Sequence, residues 1–264
     1  MFAALLWLIT LSIVDVASAE TLQELTTLCQ KGDAEACTLL GNMYHNGTGV
    51  TQDYSKAVEL YRKGCNAQET VGCSNLGWMY EEGDGVTQDA VKAVELYRKA
   101  CDGKDVVGCF SLGNMYHNGT GVTQDYSKAV ELYRKGCNAQ ETVGCSNLGL
   151  MYKKGTGVTQ DAFKAVELYR KACDGKDAVG CTKLGWMYDE GTGVRQDKFK
   201  AVEFYRKACD GQYGGGCFNL GLMYEYGTGV KQSVEDALRF YGKSCDLKYA
   251  DGCKYYAELK TGKK

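Results

Sequence analysis

The chain has 264 residues, with 31 Lys or Arg against 33 Asp or Glu and a formal net charge of −2. A balance so close to neutrality leaves no electrostatic footprint for nucleic acid or an anionic membrane surface, and no nucleic-acid partner is expected. Proline is absent and there are 14 Cys, so turns must come from Gly, Asn and Asp, and an even number of thiols awaits pairing.

At the N-terminus, Phe2 to Val14 are almost entirely apolar or small and lead into Ala17, Ser18 and Ala19, the small-residue pattern that precedes a signal-peptidase cut. Residues 1–19 therefore read as a signal peptide and Glu20 as the mature start, although the opening segment carries no Lys or Arg. The apolar run is shorter than the roughly 20 residues that cross a bilayer, and no later stretch comes near that length. A mature chain without a membrane span, secreted or periplasmic, is expected, in a compartment where thiols can be oxidised. Residues 20–37 follow as an N-terminal partial repeat or cap.

Residues 38–253 are organised by a period of 36. The cysteines fall at Cys29 and Cys37, Cys65 and Cys73, Cys101 and Cys109, Cys137 and Cys145, Cys173 and Cys181, Cys209 and Cys217, and Cys245 and Cys253, so that gaps of 8 and 28 alternate without exception. Leu76, Gly77, Met79, Tyr80, Gly83, Gly85 and Val86 return one period on as Leu112, Gly113, Met115, Tyr116, Gly119, Gly121 and Val122. Residues 40–77 are identical to residues 112–149, a shift of two periods. Such an array is a repeat protein, and identical copies cannot each be a unique active site.

Each unit predicts two helices. Cys73, Leu76, Gly77 and Tyr80 follow the helical i, i+3, i+4, i+7 rule and stop at Gly83, which can take the left-handed conformation past a helix end. We term this helix A. A Gly-x-Gly-Val turn follows, with Thr87 or Asp89 available to cap helix B. In helix B, Tyr54, Ala57, Val58, Tyr61 and Cys65 form one apolar stripe. Gly77 recurs as Gly41, Gly113, Gly149, Gly185 and Gly221 inside helix A, where Gly costs about 1 kcal/mol relative to Ala. The expected compensation is close approach to a neighbouring helix near a small residue such as Ala93. One pair cannot bury its own apolar face, so stacking of successive pairs supplies the core. Residues 254–264 turn polar and basic and read as a C-terminal tail or cap.

Two cysteine pairings fit this geometry, at separations of 8 and of 28. The first pairs all fourteen, whereas the second strands Cys29 and Cys253, so the first is expected. Each closed loop then contributes ~2.6 kcal/mol in the chain-entropy model. Zinc would call for tighter Cys spacing or accompanying His, and the only histidines are His45 and His117. No metal and no cofactor is expected.

The Leu-Gly-x-Met-Tyr-x-x-Gly-x-Gly-Val pattern and the Lys-Ala-Val-Glu-Leu-Tyr-Arg-Lys-Ala-Cys helix resemble the Sel1-like repeats, relatives of the tetratricopeptide repeat (TPR). With a Cys-x7-Cys pair in each unit, the chain resembles the Helicobacter cysteine-rich protein family over essentially its whole mature length. The resemblance implies an all-α fold, a right-handed superhelix of α-α hairpins with one disulfide per hairpin, secretion or periplasmic residence, and interaction with host cells. It also implies, as an alternative function, a penicillin-binding, slowly hydrolysing β-lactamase.

The residues do not carry that chemistry forward. No Ser has Lys three residues later, the nucleophile motif of serine β-lactamases, and Lys260, Thr261 and Gly262 spell that set's third motif alone in the tail. His45 and His117 end helix A and are expected to face solvent. Glu59, Glu95, Glu131, Glu167 and Glu203 each precede a base by four residues, as Glu59 precedes Lys63, and are expected in solvated pairs. Asn46 and Asn118 match the glycosylation acceptor and read more simply as turn residues.

The position after Leu-Gly breaks the repeat, reading Asn42, Trp78, Asn114, Leu150, Trp186 and Leu222 along helices A. On a concave face, Trp at such positions suits peptide or glycan recognition; alternatively, Trp78 and Trp186 fill gaps between hairpins. With no place where unlike catalytic residues converge, the expected function is an exported, monomeric scaffold that binds a protein, peptide, glycan or other cell-wall-derived partner without a catalytic centre.

Overall fold

Glycines and cysteines mark the two breaks in each 36-residue unit, and helices end at both in the computed structural model. It describes residues 21–137 and 142–262; the signal peptide read over residues 1–19 lies outside the described residues. Every regular element among them is helical: α1 (21–30), α2 (Ala34–Asn46), α3 (Tyr54–Asn66), α4 (Thr70–Glu82), α5 (Ala90–Asp102), α6 (Val106–Asn118), α7 (Tyr126–Gly136), α8 (Cys145–Lys154), α9 (Ala162–Asp174), α10 (Ala178–Glu190), α11 (Lys198–Asp210), α12 (Gly214–Tyr226), α13 (Val234–Asp246) and α14 (Ala250–Lys260). Even numbers from α2 are helices A and odd numbers are helices B.

Side-chain caps set where helices B begin. Asp53, Asp89, Asp161 and Asp197 each accept the backbone N–H three residues on, so Asp89 rather than Thr87 is the cap of α5. Helices A from α2 to α12 end on glycine in the left-handed region, as at Gly83 (φ 83°). Gly85 (φ 67°) also needs to be glycine, because a Cβ there would run into the Tyr54 carbonyl group at the start of the preceding helix B.

The described residues divide into two compact units, the first running to residue 125 and the second starting at residue 126. In the first, α2 packs on α3 and α4 on α5, while α3 also meets α4 and α5 meets α6. In the second, α8 packs on α9, α10 on α11 and α12 on α13, with α9 against α10, α11 against α12 and α13 against α14. Within each unit successive helices A also touch, α2 with α4 and α4 with α6, then α8 with α10, α10 with α12 and α12 with α14. No comparable contact joins successive helices B among the described residues. Helices A are therefore the closer-spaced layer of each unit, and the face they line is the inner one. The helix α14 runs to Lys260, so most of the tail read from residue 254 is helical.

The core is built by tyrosines of helix B lying against glycines of helix A. A Cβ on Gly77 would sit 2.8 Å from a ring carbon of Tyr97, and the same collision recurs for Gly41 with Tyr61, Gly149 with Tyr169, Gly185 with Tyr205 and Gly221 with Tyr241. The neighbour that demands glycine is thus the Tyr97 ring and not the expected Ala93: the ring presses on the helix backbone where only hydrogen fits.

Seven disulfides join cysteines eight positions apart, with Cα–Cα distances of 4.4 to 4.8 Å. Each ties the end of a helix B to the start of the next helix A. Within the five links at Gln68, Lys104, Lys176, Gln212 and Lys248 a non-glycine residue is held at positive φ, so a left-handed turn closes each of these loops. Neighbouring helices A are joined a second way. Thr38 donates to Glu69 (2.8 Å), Ser74 to Asp105 and Ser146 to Asp177, and these acids also cap α4, α6 and α10.

Gly77→Ala is expected to destabilise the chain by roughly 1–3 kcal/mol through overpacking against Tyr97, although Ala is the better helix former. Urea unfolding followed by circular dichroism checks this, and a gain in stability would contradict the ring contact. Replacing Cys101 and Cys109 together by Ser should lower stability by about 2–3 kcal/mol. Non-reducing peptide mapping should link cysteines at a separation of 8; free thiols or links at a separation of 28 would overturn the scheme.

Candidate functional site

The residue after Leu-Gly leaves the core because its neighbours enter it: Leu76, Met79 and Tyr80 face helices B and are buried, which turns position 78 to the inner face. Trp78 is exposed, and it lines a pocket of about 450 Å³ with Asn42, His45, Asn46, Tyr61, Val71 and Asn75. On the floor, the Tyr61 hydroxyl donates to Asn42 Oδ1 (2.8 Å), which also accepts from Asn75 Nδ2 (3.0 Å). Burial pushes the Tyr61 hydroxyl pKa up to about 12, so it stays a donor at any physiological pH.

His45 corrects an expectation. It is half-buried and not simply solvent-facing: its ring packs 5.3 Å from Tyr54 and edge-on to Trp78 at 5.1 Å. Its Nδ1 is paired with Asn46 Oδ1 (2.7 Å), and its Nε2 is buried without a hydrogen-bond partner among the described residues. The Trp78 indole supplies the cover.

In the second unit the corresponding pocket, about 230 Å³, is lined by Leu150, Lys153, Tyr169, Thr182, Lys183, Trp186 and Asn219. The Lys153 ammonium sits 3.4 Å above the Trp186 ring centroid, a cation–π contact. Burial pushes the Lys153 pKa down, helped by the charges of Lys183 and Lys154. Burial also lowers that of Lys183; Asp177 opposes the shift and Lys154 adds to it. The Tyr169 side chain is 1% exposed, and its hydroxyl is buried with no hydrogen-bond partner among the described residues.

Of the six positions read from the repeat break, Asn42 and Trp78 come together in the first unit, and Leu150 and Trp186 in the second. Asn114 and Leu222 line neither pocket. Asn46 and Asn118 close helices α2 and α6 and do not enter the turns. Thr261 folds its hydroxyl back onto the Ala257 carbonyl at the end of α14, beside Lys260 and Gly262.

The periodic glutamates are only partly as expected. Glu203 pairs with Lys207 at 2.8 Å, whereas Lys99 leaves Glu95 and donates to the Cys65 carbonyl at 2.6 Å. An exposed ion pair contributes little, so giving up the Glu95 pairing costs little. No group of three His, Cys, Asp or Glu among the described residues is placed to hold a metal ion.

Sequence reading passed over Lys153, Lys183 and Tyr169. A signal was available: the position of Lys153 reads His45, Glu81, His117, Lys153, Asp189 and Glu225 along the repeats, and that of Lys183 reads Asn75, Ser111, Asn147, Lys183 and Asn219. Both break the repeat as sharply as the tryptophans do. Another open cleft, about 710 Å³ at the turn from α10 to α11, includes the exposed Phe199.

The Sel1 repeat family matches residues 34–68, 70–105, 106–140, 142–177, 178–213 and 215–249. Among solved structures, c5321, a protective antigen present in uropathogenic Escherichia coli strains displaying an SLR fold, is 34% identical with a TM-score of 0.75. The match covers 89% of this chain and 50% of that one, so this chain spans half the length of that protein. A Sel1 repeat protein from Oxalobacter formigenes is 24% identical over 84% of this chain and 87% of its own, with a TM-score of 0.76. Helicobacter pylori cysteine rich protein B is 33% identical over 49% of this chain and 93% of its own, with a TM-score of 0.41. Comparison with curated proteins gives no match.

The two pocket floors predict opposite responses to one substitution. Tyr61→Phe removes a made hydrogen bond and should cost about 0.5–1.5 kcal/mol, whereas Tyr169→Phe removes an unmade one and should be neutral or stabilising. Urea titrations of the two variants decide; equal losses would mean that the Tyr169 hydroxyl is satisfied in solution.

Proposed function

Because this chain belongs to the Sel1 repeat family, we propose that it is a disulfide-rich scaffold that binds a protein or peptide partner on the inner face of its helices A and performs no chemistry on it. The observation that carries the reading is the division of labour within the repeat. Residues that recur, such as Gly77, Tyr97 and the paired cysteines, build the stack, whereas the residues that change, Trp78 and Trp186 foremost, line pockets on the inner face. Tryptophan is among the side chains enriched where a few residues carry most of an interface's binding energy.

The sulfur chemistry supports a compartment outside the cytoplasm. All fourteen cysteines are paired, and disulfides in this number persist where the surroundings are oxidising, which supports residence outside the cytoplasm. No helix among the described residues is long and apolar enough to cross a membrane. Export through the segment at residues 1–19 and action as a monomer belong to the same proposal.

Affinity capture from the cell envelope and culture medium, with Trp78→Ala and Trp186→Ala as comparisons, tests it. At least one variant should weaken the captured partner by about thirtyfold, the effect of losing a hot-spot side chain. Unchanged capture by both, with circular dichroism and disulfides intact, would remove the inner face as the site. Turnover of a chromogenic β-lactam that titrates with the oxidised chain would overturn the non-catalytic part.

A further inference from the structure

We infer that the pocket bounded by Tyr169, Lys153, Lys183 and Trp186 is a carboxylate subsite that receives one Asp or Glu side chain of a bound peptide. The inference rests on the proposed reading of the inner face as a protein-binding surface and names the chemistry that one pocket selects.

Four of the other buried tyrosines of helices B have hydrogen-bonding partners at recurring places in the repeat. Tyr61 finds its acceptor 19 residues back, at Asn42. Tyr97 and Tyr241 find theirs 16 residues back, donating to Glu81 Oε2 at 2.6 Å and to Glu225 Oε2 at 2.5 Å. Tyr97 and Tyr133 also have hydrogen-bonding partners 14 residues on, at Ser111 and Asn147. For Tyr169 these three positions are Leu150, Lys153 and Lys183. Leucine has no polar atom, and a lysine ammonium only donates. The hydroxyl is correspondingly without a partner among the described residues, and it belongs to a side chain only 1% exposed.

The surrounding charge points the same way. Neither Lys153 nor Lys183 forms an ion pair among the described residues. The acid whose field reaches Lys183 is Asp177, and its carboxylate is already engaged by the Ser146 hydroxyl and the Val179 N–H. Three donors, two of them cationic, thus surround a space closed on one side by the Trp186 indole, and none of the lining side chains is acidic. A carboxylate is acceptor-only and can take several donors at once. Glu81 and Glu225, at the position Lys153 holds, show that a tyrosine at this depth binds a carboxylate directly. The volume of about 230 Å³ falls below the roughly 300–1,000 Å³ of small-molecule sites, which fits a single side chain inserted from a peptide lying across the helices A.

Fluorotryptophan incorporated into the full chain gives fluorine NMR signals assignable with Trp78→Phe and Trp186→Phe. Titration with the blocked peptide acetyl-Gly-Gly-Glu-Gly-Gly-amide should shift the Trp186 signal saturably and leave Trp78 unmoved. The Gln peptide should bind about tenfold or more weakly, as should Tyr169→Phe and Lys183→Met with the Glu peptide. Leu150→Asn, which gives Tyr169 the acceptor that Tyr61 has, should weaken binding while preserving the fold. An equal response to Gln, no effect of Tyr169→Phe, or a response confined to an acid-free peptide with an unblocked C-terminus would overturn the subsite. Partner capture that depends on Trp186 but not on Tyr169 and Lys183 would also overturn it, yet leave the scaffold reading standing. A Glu-selective Trp186 response without any captured partner would support the subsite and count against the scaffold.

Discussion

The contact on which the rest of the structure depends is a tyrosine ring lying against a helix backbone. Because Gly77 and its equivalents carry no side chain, the rings of Tyr97 and its equivalents can press onto helix A, and the two helices of a hairpin close to a distance that no other residue would allow. The apolar ring is buried by that contact and its hydroxyl is carried through to the inner side of the stack. Each such hydroxyl then needs an acceptor where water is scarce. A packing rule of the core thereby becomes a polar requirement on the inner face.

The sulfur bridges and the capping acids do a complementary job. A hairpin closed by the tyrosine still has to be registered against the next one, and the links between helix B and the following helix A are short. The disulfide fixes each link covalently, and an acid such as Asp105 holds the start of its own helix while taking the hydroxyl of Ser74 from the preceding helix A. Because these ties repeat, the inner-face side chains between them can change from unit to unit without loosening the stack. Variation at positions such as 42, 78, 150 and 186 therefore has little structural consequence, and the scaffold can carry different chemistry in each pocket.

The two pockets show how different that chemistry is. Around Tyr61 the hydroxyl is satisfied, with Asn42 accepting from both Tyr61 and Asn75, while Trp78 lies edge-on to the half-buried His45, whose Nε2 has no partner among the described residues. Around Tyr169 the same places hold a leucine and two lysines, and donors outnumber acceptors. The tyrosine of the first pocket has its acceptor; that of the second is left among donors. That asymmetry arises from three substitutions on an unchanged backbone plan.

The sequence by itself determined the all-helical repeat, the helix ends at Gly83 and its equivalents, the pairing of all fourteen cysteines and the variable position on helix A. Each of these is local or strictly periodic, so spacing along the chain is enough to reveal it. Only the tertiary structure decided that Gly77 faces the Tyr97 ring, that His45 is covered by Trp78, that Lys99 turns to the Cys65 carbonyl, and that Tyr169 is left without an acceptor. Those outcomes depend on atoms brought together from different helices, 14 to 34 residues apart. Periodicity states which face a residue occupies; it does not state which atom of another helix stands opposite, and hydrogen bonding and ring contact are settled at that scale.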